Sequence, residues 1–114
     1  MDEDEVDYIG GLIFKDNSKA FLNLHPEEFG SICWDASSRS YKNSTAKFYG
    51  SVRIADCSKS VILDFDCYGK TTQKTVDKRI EKLDTLISEL QKFRESYLIA
   101  CETTLKYNEE HQND

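Results

Sequence analysis

The chain has 114 residues, 39% of them hydrophobic and 32% charged, and a formal net charge of −6. That length makes one domain with a modest core, and no apolar run is long enough to span a bilayer. Four cysteines form no Cys-x-x-Cys pair and His25 and His111 are remote from them, so nothing here has the spacing of a zinc site and no cofactor or metal is expected.

The opening Met1-Asp2-Glu3-Asp4-Glu5 is the reverse of a signal peptide, which starts basic and turns apolar, so a cytoplasmic protein with reduced thiols is expected. Residues 1–6 read as a solvated acidic arm. Charge is unevenly spread: residues 1–35 sum to −7, residues 36–55 to +4 without a single acid, and the remainder to −3. The acids at 2–7, 16, 27, 28 and 35 are best read as a solubilising surface.

A single domain is expected over 7–107, with a sheet over 7–70. Residues 8–14 and 20–24 alternate as strands, and Asp16-Asn17-Ser18-Lys19 between them has turn chemistry. A hairpin around that turn pairs Ile13 with Leu22 and Phe14 with Phe21. Gly10-Gly11 inside the first strand suggests a bulge or close packing under Trp34. His25-Pro26-Glu27-Glu28-Phe29-Gly30 reads as a short helical turn. Residues 31–34 form a possible extra strand, and residues 36–47, rich in Ser and Thr, read as a surface loop. In a second hairpin Phe48, Gly50, Val52 and Ile54 share one strand face, and Val61, Leu63, Phe65 and Cys67 another. A four-residue loop at 57–60 then pairs Ile54 with Leu63, Val52 with Phe65, Arg53 with Asp64 and Gly50 with Cys67.

From Lys70 onward there is no Gly and no Pro. Val76, Ile80, Leu83, Ile87, Leu90, Tyr97 and Cys101 recur at alternating spacings of four and three, with Arg94 the charged intruder. This is an a/d seam, so a helix over 71–107, about 54 Å long, is predicted, capped by Thr71 or Thr72. Cys67 and Cys101 occupy apolar positions and read as small core residues. The stripe from Val76 to Leu90 is expected to pack on the sheet. Leu90, Phe93, Tyr97, Leu98, Cys101 and Leu105 are expected to meet a second copy. Residues 108–114 form a polar tail.

The fold class predicted is therefore α+β: two antiparallel hairpins in a sheet of four or five strands, then one long helix that dimerises or oligomerises. The arrangement is similar to that of a family of small transcriptional coactivators that dimerise through the helix and bind single strands on the sheet.

No Ser/His/Asp or Cys/His arrangement can be argued from spacing, so an enzyme is not expected. The first functional expectation is a small, acidic, self-associating protein that binds and occludes a protein partner, a profile that virus-encoded inhibitors of host factors share. The alternative is a nucleotide or single-stranded nucleic-acid binder. Its ligand residues would be Arg39, Tyr41, Lys42, Lys47, Tyr49 and Arg53, where positive charge is interleaved with rings that could stack a base.

Overall fold

The computed structural model describes residues 11–22, 30–42 and 44–112. It divides into two compact units, Met1–Arg79 and Ile80–Asp114. The first holds strands β1 (Leu12–Phe21), β2 (Gly30–Tyr41), β3 (Ser44–Asp56) and β4 (Lys59–Asp64), hydrogen-bonded in the order β1-β2-β3-β4 with every pair antiparallel. Helix α1 (Gln73–Glu110) begins in the first unit and makes up most of the second. A four-stranded antiparallel sheet followed by one long helix is the α+β arrangement expected.

The first hairpin differs from the expectation. β1 runs straight through Asp16-Asn17-Ser18-Lys19, which pair in unbroken register with Ala36, Asp35, Trp34 and Cys33. These turn-forming residues sit on an exposed edge strand, where their polar side chains need no burial and β2 supplies the ladder. Phe14 consequently faces Ser38 and Phe21 faces Ser31, in place of the expected pairing with each other. The chain reverses between Leu22 and Gly30, whose N–H and carbonyl meet at 2.8 Å. Residues 8–10 and 23–24, residues 25–29 of the turn expected at His25–Gly30, and the acidic arm lie outside the described residues, and Gly30, expected to end that turn, begins β2. Gly11 has φ 109°, and a bulge does follow it, between Leu12 and Phe14, but Trp34 is elsewhere, opposite Ser18.

The surface loop expected at 36–47 is absent. Its residues finish β2 and start β3, where Tyr41 pairs with Ser44. The small side chains of central β2 fit between bulky ones: Ser38 lies between Phe14 and Phe48, and Ser37 between Lys15 and Tyr49. Packing against neighbours outweighs the weak strand preference of serine.

The last hairpin turns in two residues, Cys57 and Ser58, where four were expected, since Asp56 pairs with Lys59. Cys57 takes the left-handed conformation at φ 55°, normally filled by Gly or Asn, so the sequence carries no ordinary turn signal there. The register slips by two residues from that expected. Ile54 faces Val61, Val52 faces Leu63, and Arg53 faces Ile62 in place of Asp64. Beyond β4, the Phe65 and Cys67 N–H groups donate to the Gly50 and Phe48 carbonyls. An even slip leaves every side chain on its predicted face.

That alternation gives the sheet one apolar face, with Ile32, Val52, Ile54, Leu63 and Phe65 half-buried and Trp34 more open. Among the described hydrophobic residues only Cys67 is buried, at 5% exposure. Cys101, expected in a core, is exposed on α1. The expected core stripe on α1 is largely open: no residue of this helix is buried, Val76 and Leu83 are half-buried, and Ile80, Ile87 and Leu90 are exposed. A helix shields its own side chains only in part, so an apolar stripe stays exposed until another surface covers it.

Gly69, at φ 86°, turns the chain out of the sheet. Thr72 caps α1 by a reciprocal exchange. Its hydroxyl accepts from the Thr75 N–H at 3.2 Å, and the Thr75 hydroxyl accepts from the Thr72 N–H at 2.9 Å. Thr71 donates its hydroxyl to the Ala46 carbonyl at 2.8 Å, anchoring the segment before the helix to β3.

Candidate binding surfaces

Residues directly opposite in antiparallel strands share a face. On the polar face of the sheet one row runs Lys19, Cys33, Arg53, Ile62, and the next runs Asn17, Asp35, Ser51, Asp64. Beyond these lie Lys15, Ser37 and Tyr49, then Arg39 opposite Lys47. Five of the six strand bases therefore point from one face: Lys15, Lys19, Arg39, Lys47 and Arg53. The sixth, Lys59, lies opposite Asp56 at the last turn.

The carboxylates nearby are engaged elsewhere. Asp35 accepts from the Ser51 hydroxyl at 2.8 Å. Asp64 accepts from the Asp66 N–H at 2.7 Å and from the Tyr68 hydroxyl. That hydrogen bond to Asp64 is the main cause that raises the Tyr68 pKa above its ordinary value, with desolvation and the charges of Asp64 and Asp66 adding to it. The Arg79 guanidinium, 5.5 Å from the Tyr68 ring centroid, pulls the other way. Among the described residues, Lys19, Lys47 and Arg53 make no ion pair.

Of the six residues predicted for an anionic ligand, the structure brings four together. Arg39 is opposite Lys47, and the hydroxyls of Tyr41 and Tyr49 are hydrogen-bonded. Lys42 is exposed on the turn between β2 and β3. Arg53 lies six residues along β3 from Lys47, roughly 20 Å away at the rise of an extended strand. Its neighbours are instead Lys19 and Cys33, and with Asn17, Asp35 and Ser51 they line an open depression of about 360 Å³. Sequence reasoning missed Lys15 and Lys19 because it placed a turn at 16–19. The alternation Lys15, Asn17, Lys19, Phe21 was the signal that could have found them.

The second surface is α1. All six residues predicted for self-association are exposed, and Leu90, Phe93, Tyr97, Leu98 and Leu105 are 46% to 69% exposed. Phe93 and Tyr97 pack ring against ring with centroids 5.3 Å apart. Ile99, off the seam, is a further exposed apolar residue that the heptad pattern did not single out. Near the helix end the Tyr107 and His111 rings stack at 4.0 Å, and His111 Nδ1 lies 2.9 Å from the Tyr107 carbonyl.

Among the described residues no three His, Cys, Asp or Glu side chains cluster as metal ligands, and no described helix is long and apolar enough to cross a membrane. Comparison with protein-family models, curated proteins and solved structures finds no match to this chain.

Proposed function

We propose that this is a non-enzymatic interaction protein that self-associates through α1 and acts by occluding a protein partner. The observation that carries the reading is the exposed apolar surface of α1. Ile80, Ile87, Leu90, Phe93, Tyr97, Leu98 and Leu105 are all exposed along one helix. Covering what remains open on each is worth about 1 kcal/mol, since full burial of such a side chain is worth about 1.5–3 kcal/mol. Seven per chain on two chains give roughly 14 kcal/mol, against an association cost of about 4–15 kcal/mol. The apolar gain is thus of the same order as the association cost, which supports pairing at raised protein concentration. A cytoplasmic location belongs to the same proposal and is supported by four free thiols.

The test is sedimentation equilibrium. The wild type should sediment at a multiple of 13.2 kDa, and Leu98→Asp with Leu105→Asp should reduce it to one chain while the strand signal in circular dichroism persists. A wild type that stays at one chain mass at high concentration removes self-association. Affinity capture from native lysate should then return one stoichiometric protein partner, and its absence removes occlusion.

A second reading is favoured by one observation, the gathering of five strand bases on a single face of an acidic protein. On this reading that face binds a nucleotide or a single-stranded nucleic acid. Retention on a phosphate resin should then be lost at moderate salt, and lost in Arg39→Ala/Lys42→Ala, if the bound strand reaches the β2–β3 turn. Elution that ignores salt counts against the reading.

A further inference from the structure

Resting on that second reading, we propose that the depression between Lys19 and Arg53 is a site for a discrete phosphomonoester with a flat or apolar body. Lys19, Cys33 and Arg53 occupy one row on three adjacent strands. Two strand spacings separate the bases, about 10 Å between Cα atoms, and the residue between them is a small cysteine. A lysine and an arginine side chain can both reach inward across that gap, and the short cysteine leaves space beneath them. The space is the depression itself, about 360 Å³, with Asn17, Asp35 and Ser51 on its lining.

The chemistry of the row suits a tetrahedral dianion. Arginine offers paired N–H donors that match two phosphate oxygens, and lysine supplies a compact charge from the other side. Neither base makes an ion pair among the described residues, so an arriving anion displaces no existing carboxylate partner. Beside the row are two apolar side chains. Ile62 continues it on β4 at 63% exposure, and Phe21 lies two residues beyond Lys19 at 75% exposure. The Lys19 ammonium is 5.8 Å from the centroid of the Phe21 ring. A ligand whose phosphate sits between the bases has these surfaces for its carbon portion.

The neighbouring row limits the class. Asp35 and Asp64 lie one row along the strands toward Lys47. A polyphosphate backbone following β3 from Arg53 to Lys47 would cross both carboxylates, whereas a single phosphate between Lys19 and Arg53 meets Asp35 alone, whose Oδ2 already accepts from the Ser51 hydroxyl. The site therefore takes a small phosphomonoester in preference to an extended nucleic acid.

The test uses the full chain with adenosine 5′-monophosphate as probe and adenosine as the phosphate-free control. Titration calorimetry should show saturable binding of the monophosphate and none of adenosine. Lys19→Ala and Arg53→Gln should each weaken it by about tenfold or more, the effect of losing a charged hydrogen-bonding partner, and both positions are exposed, so folding is expected to survive. Alkylation followed by mass spectrometry gives a second readout: the monophosphate should slow modification of Cys33 and leave exposed Cys57 unchanged. If binding is lost in Arg39→Ala/Lys47→Ala and kept in Arg53→Gln, an anion-binding face stands and this depression is rejected as its site. If only oligonucleotides bind, the monophosphate class is overturned. If no anion binds, both the site and the reading beneath it fail.

Discussion

On the sheet, Leu63 lies opposite Val52 and both are half-buried; on α1, Leu98 and Leu105 lie open to solvent. Both regions carry apolar side chains at the period of their secondary structure, yet only the sheet shelters them against partners from neighbouring strands. A strand cannot form without such partners, so its side chains acquire neighbours as the ladder forms. A helix closes its hydrogen bonds within itself and can exist with its stripe uncovered. The sheet should therefore derive stability from within one chain, and α1 from whatever covers it.

The largest effect that could break this contrast is at Leu63. Leu63→Ala should cost roughly 2 kcal/mol, the low end of the range for a buried leucine because the site is only half-buried. The loss should appear as a lower urea midpoint that is independent of protein concentration. A change that vanished on dilution would show that the sheet, like the helix, depends on another chain.

That difference between the regions also governs what was legible beforehand. The seam of α1 could be read because a helix is local: Ile80, Leu83, Ile87 and Leu90 identify one another over four residues. The sheet depends on which strand meets which, and sequence alternation fixes faces without fixing partners. Val52, Ile54, Leu63 and Phe65 stand on their predicted face although each has a different partner from the one expected. Two turns misled. Asp16 to Lys19 looks like a turn and is a strand, while Cys57-Ser58 turns the chain without Gly, Asn or Pro. The polar face was half legible for the same reason. Arg53 was noticed, but its neighbour Lys19 belongs to a strand whose pairing no local pattern reveals.

A smaller effect sharpens the helix side of the comparison. Arg94 occupies an a position of the seam, where a charge lowers the stability of helix pairing. Arg94→Leu should tighten self-association by about tenfold, as for a polar residue removed from such a seam, with no change in the midpoint of a diluted, single-chain sample. Sedimentation equilibrium across a concentration series measures this. Weaker association in the variant would mean that Arg94 meets a carboxylate of the second copy, and that the seam is specified by charge as well as by apolar contact.

The smallest effect tests the junction before α1, where Tyr68 donates to Asp64 and lies beneath Arg79. The phenol has a raised pKa in the folded chain, chiefly through that hydrogen bond. The folded state thus favours the protonated phenol. Its contribution is fully present below the ordinary phenol value of about 10 and is lost as pH climbs through the raised folded value. Wild type should have a slightly higher urea midpoint than Tyr68→Phe at pH 8, and the gap should close as pH rises beyond about 10. Because Tyr68 is exposed, solvent keeps the gap small. The absence of any gap across this range would show that ring packing against Arg79, which Tyr68→Phe retains, is the whole of what Tyr68 contributes there.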